Sequence, residues 1–469
     1  MNRVSDFTPF FEPKSVLIIG ASRNEYTSNG VVLKNLLEAR YNAKISIFHP
    51  YTDSILGILT VKTLEDVAAL QPFPDLAIVL TRHNLLAILE SLGKNNIRHI
   101  LLQTDINYLS TDQEYRDMER AIRAIIQQYH LNVLGPSMIG IIDFFSGFTS
   151  SVIPTRPHLL HLHQKANYTA GISFLAQSGG LSGACGWWNM QQPVPFSKAL
   201  HIGGQIDITE AEMLEFLFQD PKTQVITLYL KSISAEMVNV MQRLGTSKPV
   251  LVKYVGKDPL PLAQLQKAGA IPVRNYIELF EFAKVFMWCP APKNRDVAII
   301  GPSSGAINLL IAEMRNYDIH LASLQPKIRD YILGQIGGST CALGNPVDYW
   351  PPKEFVGTQV CKVYYDASRS LMEDPNVGAL FLALEFFSEI EFDFSIFQAI
   401  QRRFPKKPII AILIQAEKEG AERVITMSTE LRIPVFINEV ERAVRALHAL
   451  LEFNHAKANN VKKSDILLE

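Results

Sequence analysis

The chain has 469 residues, 48% of them hydrophobic, and its 45 lysines and arginines nearly balance 46 aspartates and glutamates, for a formal net charge of −1. That length suits roughly two to four domains, and the charge balance leaves no global field to attract nucleic acid or acidic lipid. No basic segment leads into an apolar run within residues 1–13, and no stretch approaches the roughly 18 to 20 uninterrupted apolar residues of a membrane span, so neither signal peptide nor span is expected and the location expected is cytoplasmic.

Short β-branched runs followed by longer periodic segments recur along the whole chain, the signature of βα units around parallel sheets. The first run is Ser15 to Ile19, ending in Gly20-Ala21-Ser22, with a predicted helix from Val31 to Ala39. Further predicted strands are Ile45 to Phe48, Leu76 to Leu80, His99 to Gln103 and Asn132 to Leu134, so residues 1–145 read as one Rossmann-like domain. Residues 146–168, with Pro154 and Pro157 and no sustained periodicity, read as a linker.

A second series opens at Gly171 to Leu175, continues through Val225 to Leu230 and Val250 to Tyr254, and runs into a helix from Tyr276 to Met287, giving a domain over 169–290. The third opens at Asp296 to Ile300, continues through Ala379 to Leu384 and Ile409 to Ile414, and closes on a helix from Val440 to Phe453, giving a domain over 296–453. Residues 454–469 are polar and charged and read as a flexible tail. The predicted fold class is α/β, with three doubly wound domains.

Three strand-turn-helix openings carry the candidate chemistry: SVLIIGAS (15–22), GISFLAQSGG (171–180) and DVAIIGPSSG (296–305). Each delivers the chain to a small-residue turn ahead of a helix, where free N–H groups and the helix dipole favour an anion. The first departs from G-x-G-x-x-G, Gly20 being followed next by Gly30, so a tight turn and a phosphate site both stay open. Gln177, Ser178, Gly179 and Gly180 read either as a phosphate cradle or as an ordinary serine N-cap. Gly301 to Gly305 has the same two readings and leans to the cap.

The four cysteines, Cys185, Cys289, Cys341 and Cys361, lack metal or disulfide spacing and read as buried free thiols. His158, His161 and His163 lack an acidic or thiol partner nearby, so no metal site is expected. Trp187 and Trp188, without a basic stripe, read as core or interface residues.

The order of motifs is more informative than any one of them. The segments FEPKSVLIIGAS (11–22), LKNLL (33–37), DLAIVL (75–80), VLGPSMIGII (133–142), FLAQSGGL (174–181), the long run from Phe196 to Ile233, KPVLVK (248–253), DVAIIGPSSG (296–305) and GNPVDYW (344–350) are collinear across three domains. Together they make the chain similar to the α-type portion of the ADP-forming (NDP-forming) acyl-CoA and acetyl-CoA synthetases, relatives of succinyl-CoA synthetase. The resemblance implies an N-terminal Rossmann-like CoA-binding domain followed by two flavodoxin-like, succinyl-CoA-synthetase-like domains, and a separate ATP-grasp domain or subunit that uses ATP. It implies that Gly20 and Ser22 line the CoA phosphate region and Pro50 the adenosine side, with Gly30 also among the cofactor-binding residues. Thr81 and the turn Gly135, Pro136, Ser137 would approach the pantetheine arm, and Gln177, Ser178, Gly179 and Gly180 would hold a phosphoryl group.

Four departures from that family stand out. The family's phosphohistidine loop would follow the strand at Lys248 to Lys253, but Lys257-Asp258-Pro259-Leu260 passes almost directly to Leu262 to Gly269, and a phosphoryl relay needs a nitrogen nucleophile on a mobile loop. The family's supporting glutamate is Lys231, a donor where imidazole needs an acceptor. Its Gly-Pro-Asn-Cys turn reads Gly135-Pro136-Ser137-Met138, and an early glycine of the CoA turn is Asn29. The basic residue expected after the second strand is absent from His49-Pro50-Tyr51.

The leading expectation is therefore a CoA- or acyl-CoA-binding α-type subunit without phosphohistidine catalysis, acting as sensor, regulatory subunit or scaffold, in a homo- or hetero-oligomer that can include an ATP-grasp partner. No segment resembles the ATP-grasp portion, so the full ligase reaction is not expected of this chain alone. The alternative is a divergent synthetase subunit joining CoA to an acyl phosphate, with His201 near the Gly203-Gly204-Gln205 turn as a candidate. A third reading, dinucleotide binding, lacks the glycine fingerprint and a ribose-binding acid.

Overall fold

The computed structural model describes residues 6–106, 111–155, 168–185, 193–335, 344–350, 358–385 and 392–466. The histidines at 158, 161 and 163, the tryptophans at 187 and 188 and the cysteine at 341 lie outside these residues. The chain forms two compact units, one from residues 1–191 with 195–272 and the other from 192–194 with 273–469.

The first unit holds two sheets. Strands β1 (Ser15–Ile19), β2 (Lys44–Phe48), β3 (Ser54–Ile55), β4 (Ile58–Val61), β5 (Leu76–Val79), β6 (His99–Leu102) and β7 (Asn132–Leu134) form a seven-stranded sheet in the order β3-β4-β2-β1-β5-β6-β7. All neighbours run parallel except the β3–β4 hairpin. β1 is apolar apart from Ser15 because both its faces are covered. Val16 and Ile18 join Leu76 and Ile78 in the core under the helix Ser28–Glu38, while Leu17 and Ile19 join Ala77 and Val79 under the helices Leu85–Lys94 and Asp112–Tyr129. Thr27 caps the first of these helices by accepting the Gly30 N–H, and Thr111 with Glu114 closes a capping box on the last.

The second sheet contains β8 (Ile141–Asp143), β9 (Gly171–Ala176), β10 (Phe196–His201), β11 (Thr223–Leu230), β12 (Val250–Tyr254) and β13 (Ile271–Pro272), in the order β13-β12-β11-β9-β10-β8. β8 follows β7 after one turn yet pairs antiparallel with β10, so the chain enters the second sheet before the segment expected as a linker. Leu134, Met138, Ile141 and Phe148 share one core with Leu175, Leu200 and Leu228. At the base of β10 the buried Lys198 ammonium lies 3.1 Å from Asp143 and 2.7 Å from Asp220.

In the second unit, β14 (Asp296–Gly301), β15 (His320–Leu321), β16 (Val347–Asp348), β17 (Ala379–Leu384), β18 (Ile409–Leu413) and β19 (Val435–Ile437) form a sheet in the order β15-β14-β17-β18-β19, with β16 also pairing β14. Asn345, just before β16, is buried and bonds to β14 and to the end of β15, accepting from the Ile299 N–H and donating to the carbonyls of Val297 and Ala322. The helix Tyr276–Trp288 belongs to this unit, its Glu278 carboxylate 2.6 Å from Arg445 on the closing helix. That closing helix spans Val440–Ile466 and so continues through most of the residues read as a loose tail, a run rich enough in helix formers to extend it.

Sheet order and parallel pairing bear out the α/β reading. Among the described residues, no helix is long and apolar enough to cross a membrane, and no histidine, cysteine and carboxylate cluster could hold a metal ion. Cys185 and Cys361 are buried, Cys289 is half-buried, and all three are free thiols.

Candidate functional site

A parallel sheet leaves a crevice outside its carboxyl ends where successive connections depart to opposite sides. In the first sheet that point is β1, whose connection to β2 leaves one way while β5 lies on the other side. A cavity of about 560 Å3 opens there, lined at the ends of β5, β6 and β7 by Thr81, Gln103, Asp105 and Ser137, with Asn29 and Ile139.

Gly20 ends β1 with φ +90°, and a β-carbon on it would lie 2.9 Å from the Thr81 Cβ, so the close approach of the two strand ends requires glycine. Asn29 donates its amide to the Gly20 carbonyl at 2.8 Å and the Leu80 carbonyl at 3.2 Å, tying together the same two ends. Ser22 accepts the Asn24 N–H at 3.1 Å, within the turn itself. Gly30 is buried against Asn24, and its N–H serves the helix cap. Pro50 is exposed beyond β2, so it stands on the adjacent strand end and outside the cavity lining.

Ser137 has φ +56° and follows a cis Gly135–Pro136 bond; its hydroxyl donates to Asp105 at 3.0 Å and accepts the Ile106 N–H at 3.3 Å. The turn is held from the second sheet, because Gly204 donates to the Pro136 carbonyl at 2.7 Å and Ile206 to the Gly135 carbonyl at 2.9 Å. The guanidinium of Arg123 also donates to the Ile206 carbonyl. Thr81 and Ser137 therefore meet in one cavity, while Gly20, Gly135 and Pro136 adjoin these residues in the chain or in space but lie outside its lining.

The second opening behaves differently. The Gln177 side chain accepts the N–H groups of Lys231 and Ser232 at 2.7 and 2.9 Å and donates to the Ser232 carbonyl at 3.1 Å, so it clamps the turn after β11. Ser178 occupies the N-cap of the five-residue helix Gly179–Gly183 without a side-chain cap bond, and Gly180 has open space around it. A β-carbon on Gly179 would meet Ile139 at 2.8 Å and His201 Nδ1 at 3.4 Å. His201 is thus beside this opening, one wall away from the cavity. In the third opening Ser303 accepts the Ala306 N–H, the capping role.

His201 Nδ1 accepts the Ile139 N–H at 3.2 Å. A main-chain N–H can only donate, so the proton of the neutral ring resides on Nε2, which is left as a donor. Burial, reinforced by the nearby Lys231 ammonium, lowers its pKa from 6.5 to about 4. Residues 255–259 alone join β12 to the helix Leu260–Lys267, with Asp258 accepting the Leu260 N–H at 2.9 Å, and they contain no histidine.

Sequence reasoning missed Gln103, Asp105 and the bridging role of Asn29. Gln103 and Asp105 had a signal: polar residues directly after the apolar run of β6, at the carboxyl end of a central strand.

Residues 14–143 match the model of a CoA binding domain, and residues 169–262 match that of a succinyl-CoA ligase like flavodoxin domain. The chain is 25% identical over 356 residues to an ADP-forming acetate–CoA ligase of Methanocaldococcus jannaschii, an alignment covering 72% of this chain and 48% of that protein, so it spans about half that relative's length. It is 22% identical to subunit alpha of the ADP-forming acetate–CoA ligase I of Pyrococcus furiosus, covering 97% of this chain and 99% of that subunit. A solved protein of Pyrococcus horikoshii OT3 shares the fold, with a TM-score of 0.82, 21% identity and coverage of 96% and 99% of the two chains. With both domain models matched in order and relatives aligned across nearly all its length, the chain carries a CoA binding domain and a succinyl-CoA ligase like flavodoxin domain and is similar throughout to the α-type chains of the ADP-forming acetate–CoA ligases.

Proposed function

We propose that this chain is a cytoplasmic α-type subunit that binds CoA or acyl-CoA at the ends of β1, β5, β6 and β7, works beside a separate ATP-grasp subunit in an oligomer, and does not carry phosphate on a histidine. The observation that carries the binding role is the cavity that gathers Thr81, Gln103, Asp105 and Ser137 at the strand-order switch. Gly20 and Ser22 would line the phosphate end, and Pro50 the adenosine side beside the exposed rings of Tyr26 and Tyr51. The pantetheine arm would enter along Thr81 toward Gly135, Pro136 and Ser137. Ligand binding without relay suits a sensor, regulatory subunit or scaffold.

Loss of the relay is supported by the short connection 255–259 and by Lys231 at the end of β11, which offers an ammonium where an imidazole would need an acceptor. A phosphate role for Gln177, Ser178, Gly179 and Gly180 rests on the backbone of that turn, since the Gln177 side chain is engaged elsewhere.

A second reading, a divergent subunit that joins CoA to an acyl phosphate, is favoured by the position of His201 beside Gly179. There the Nε2–H would orient a phosphoryl or acyl oxygen as a neutral donor. Formation of acetyl-CoA from acetyl phosphate and CoA, lost in His201→Ala, would support it.

Titration calorimetry with CoA, acetyl-CoA, ADP and NAD tests the main reading. Saturable heat with CoA or acetyl-CoA is expected; binding of NAD without either would overturn it.

A further inference from the structure

Gln103, immediately after β6, is only 8% exposed. Its Nε2 donates to the Ser150 carbonyl at 2.9 Å. That carbonyl can only accept, so the amide cannot be turned over without setting oxygen against oxygen. Gln103 is one of the residues that line the cavity, and its other side-chain atom, Oε1, is buried without a hydrogen-bond partner among the described residues.

Neighbouring polar groups are engaged within the protein. The Asn29 amide donates to Gly20 and Leu80, the Thr104 hydroxyl lies within bonding distance of the Val79 and Thr81 carbonyls, and Ser137 donates to Asp105. Buried acceptors are rarely left unpaired, because nothing in the folded chain replaces the water they lose. An oriented, unpaired acceptor on a residue that lines a cavity of ligand size therefore calls for a ligand that brings a donor to it.

We propose that Gln103 Oε1 accepts a hydrogen bond from an amide N–H of the pantetheine arm, making Gln103 the residue that selects an amide-bearing arm. The proposal rests on the CoA reading given above. The lining favours the arm over the nucleotide end: it draws on the ends of β5, β6 and β7, while Ser22 and Pro50, on the β1 and β2 side, lie outside it. An amide N–H is also a stronger donor than the terminal thiol.

The test is calorimetry of the full chain and of Gln103→Leu with three probes: CoA, 3′-phospho-ADP as the nucleotide half without the arm, and CoA analogues in which an ester oxygen replaces each arm amide N–H in turn. Gln103→Leu should weaken CoA about tenfold and leave 3′-phospho-ADP unchanged. One ester analogue should lose a similar factor on the unaltered chain and nothing further on the variant. If the unaltered chain binds CoA but Gln103→Leu binds it equally well, the proposal falls and the CoA reading stands. If the unaltered chain binds no CoA, the CoA reading itself falls and takes the proposal with it. Thermal unfolding without ligand shows whether the variant is folded; should it not be, the ester analogues on the unaltered chain decide, and equal binding of both with CoA overturns the proposal.

Discussion

The ring of His201 and the backbone of Ile139 are joined by a hydrogen bond of 3.2 Å in which Nδ1 is the acceptor. This fixes the tautomer and, with burial and Lys231, keeps the ring neutral down to about pH 4. An unfolded histidine takes up its proton near 6.5, so between 6.5 and about 4 the unfolded state binds more protons than the folded one. Stability is therefore full above 6.5 and falls as the pH drops toward 4, by about 2 to 3 kcal/mol from this group. Urea unfolding at stepped pH should show that slope, and His201→Gln should flatten it. A ring titrating near 6.5 by NMR would contradict the assignment.

Lys198 lies between Asp143 and Asp220 with almost no exposure. Burial alone would lower its pKa, but the two carboxylates outweigh burial and raise it. For Asp220 burial pushes upward, and the Lys198 charge prevails to hold its carboxyl below the ordinary range. Lys198→Met strands two buried carboxylates and should cost about 3 to 5 kcal/mol in urea unfolding. Adding Asp143→Asn and Asp220→Asn should recover part of the loss; no recovery would mean that packing dominates.

Gly203 has φ +68°, and a β-carbon there would be driven into the Pro136 carbonyl. Gly203→Ala should cost about 1 to 3 kcal/mol and weaken CoA binding, because it displaces the turn that carries Ser137. Gly180→Ala meets open space and should leave both nearly unchanged, which makes it the control.

The sheets were legible because interior parallel strands are apolar on both faces: Val250–Tyr254 and Ala379–Leu384 carry the bounds read from sequence, as does the edge strand Asn132–Leu134. Two-residue strands such as β3 and β13, and β8 with its antiparallel partner, were not, since their pairing depends on what the tertiary fold brings alongside. At the site, Gly20 showed through its turn and Ser137 through its motif. Gln103 was marked only as a polar residue after a strand, and neither its bond to Ser150 nor the Asn29 bridge to Leu80 could be read, because a side chain's partner about fifty residues away leaves no local pattern. His201 was visible only as a lone histidine, and only the fold puts it against Gly179.

The claim that no histidine of this chain receives phosphate is tested most directly by isotope labelling. The full chain would be incubated with 32P-labelled acetyl phosphate, and with labelled ATP and an ATP-grasp subunit, then assayed for acid-labile, alkali-stable phosphate and mapped by mass spectrometry. The expected result is an unlabelled chain that still binds CoA; stoichiometric phosphohistidine, at His201 or elsewhere, would contradict it.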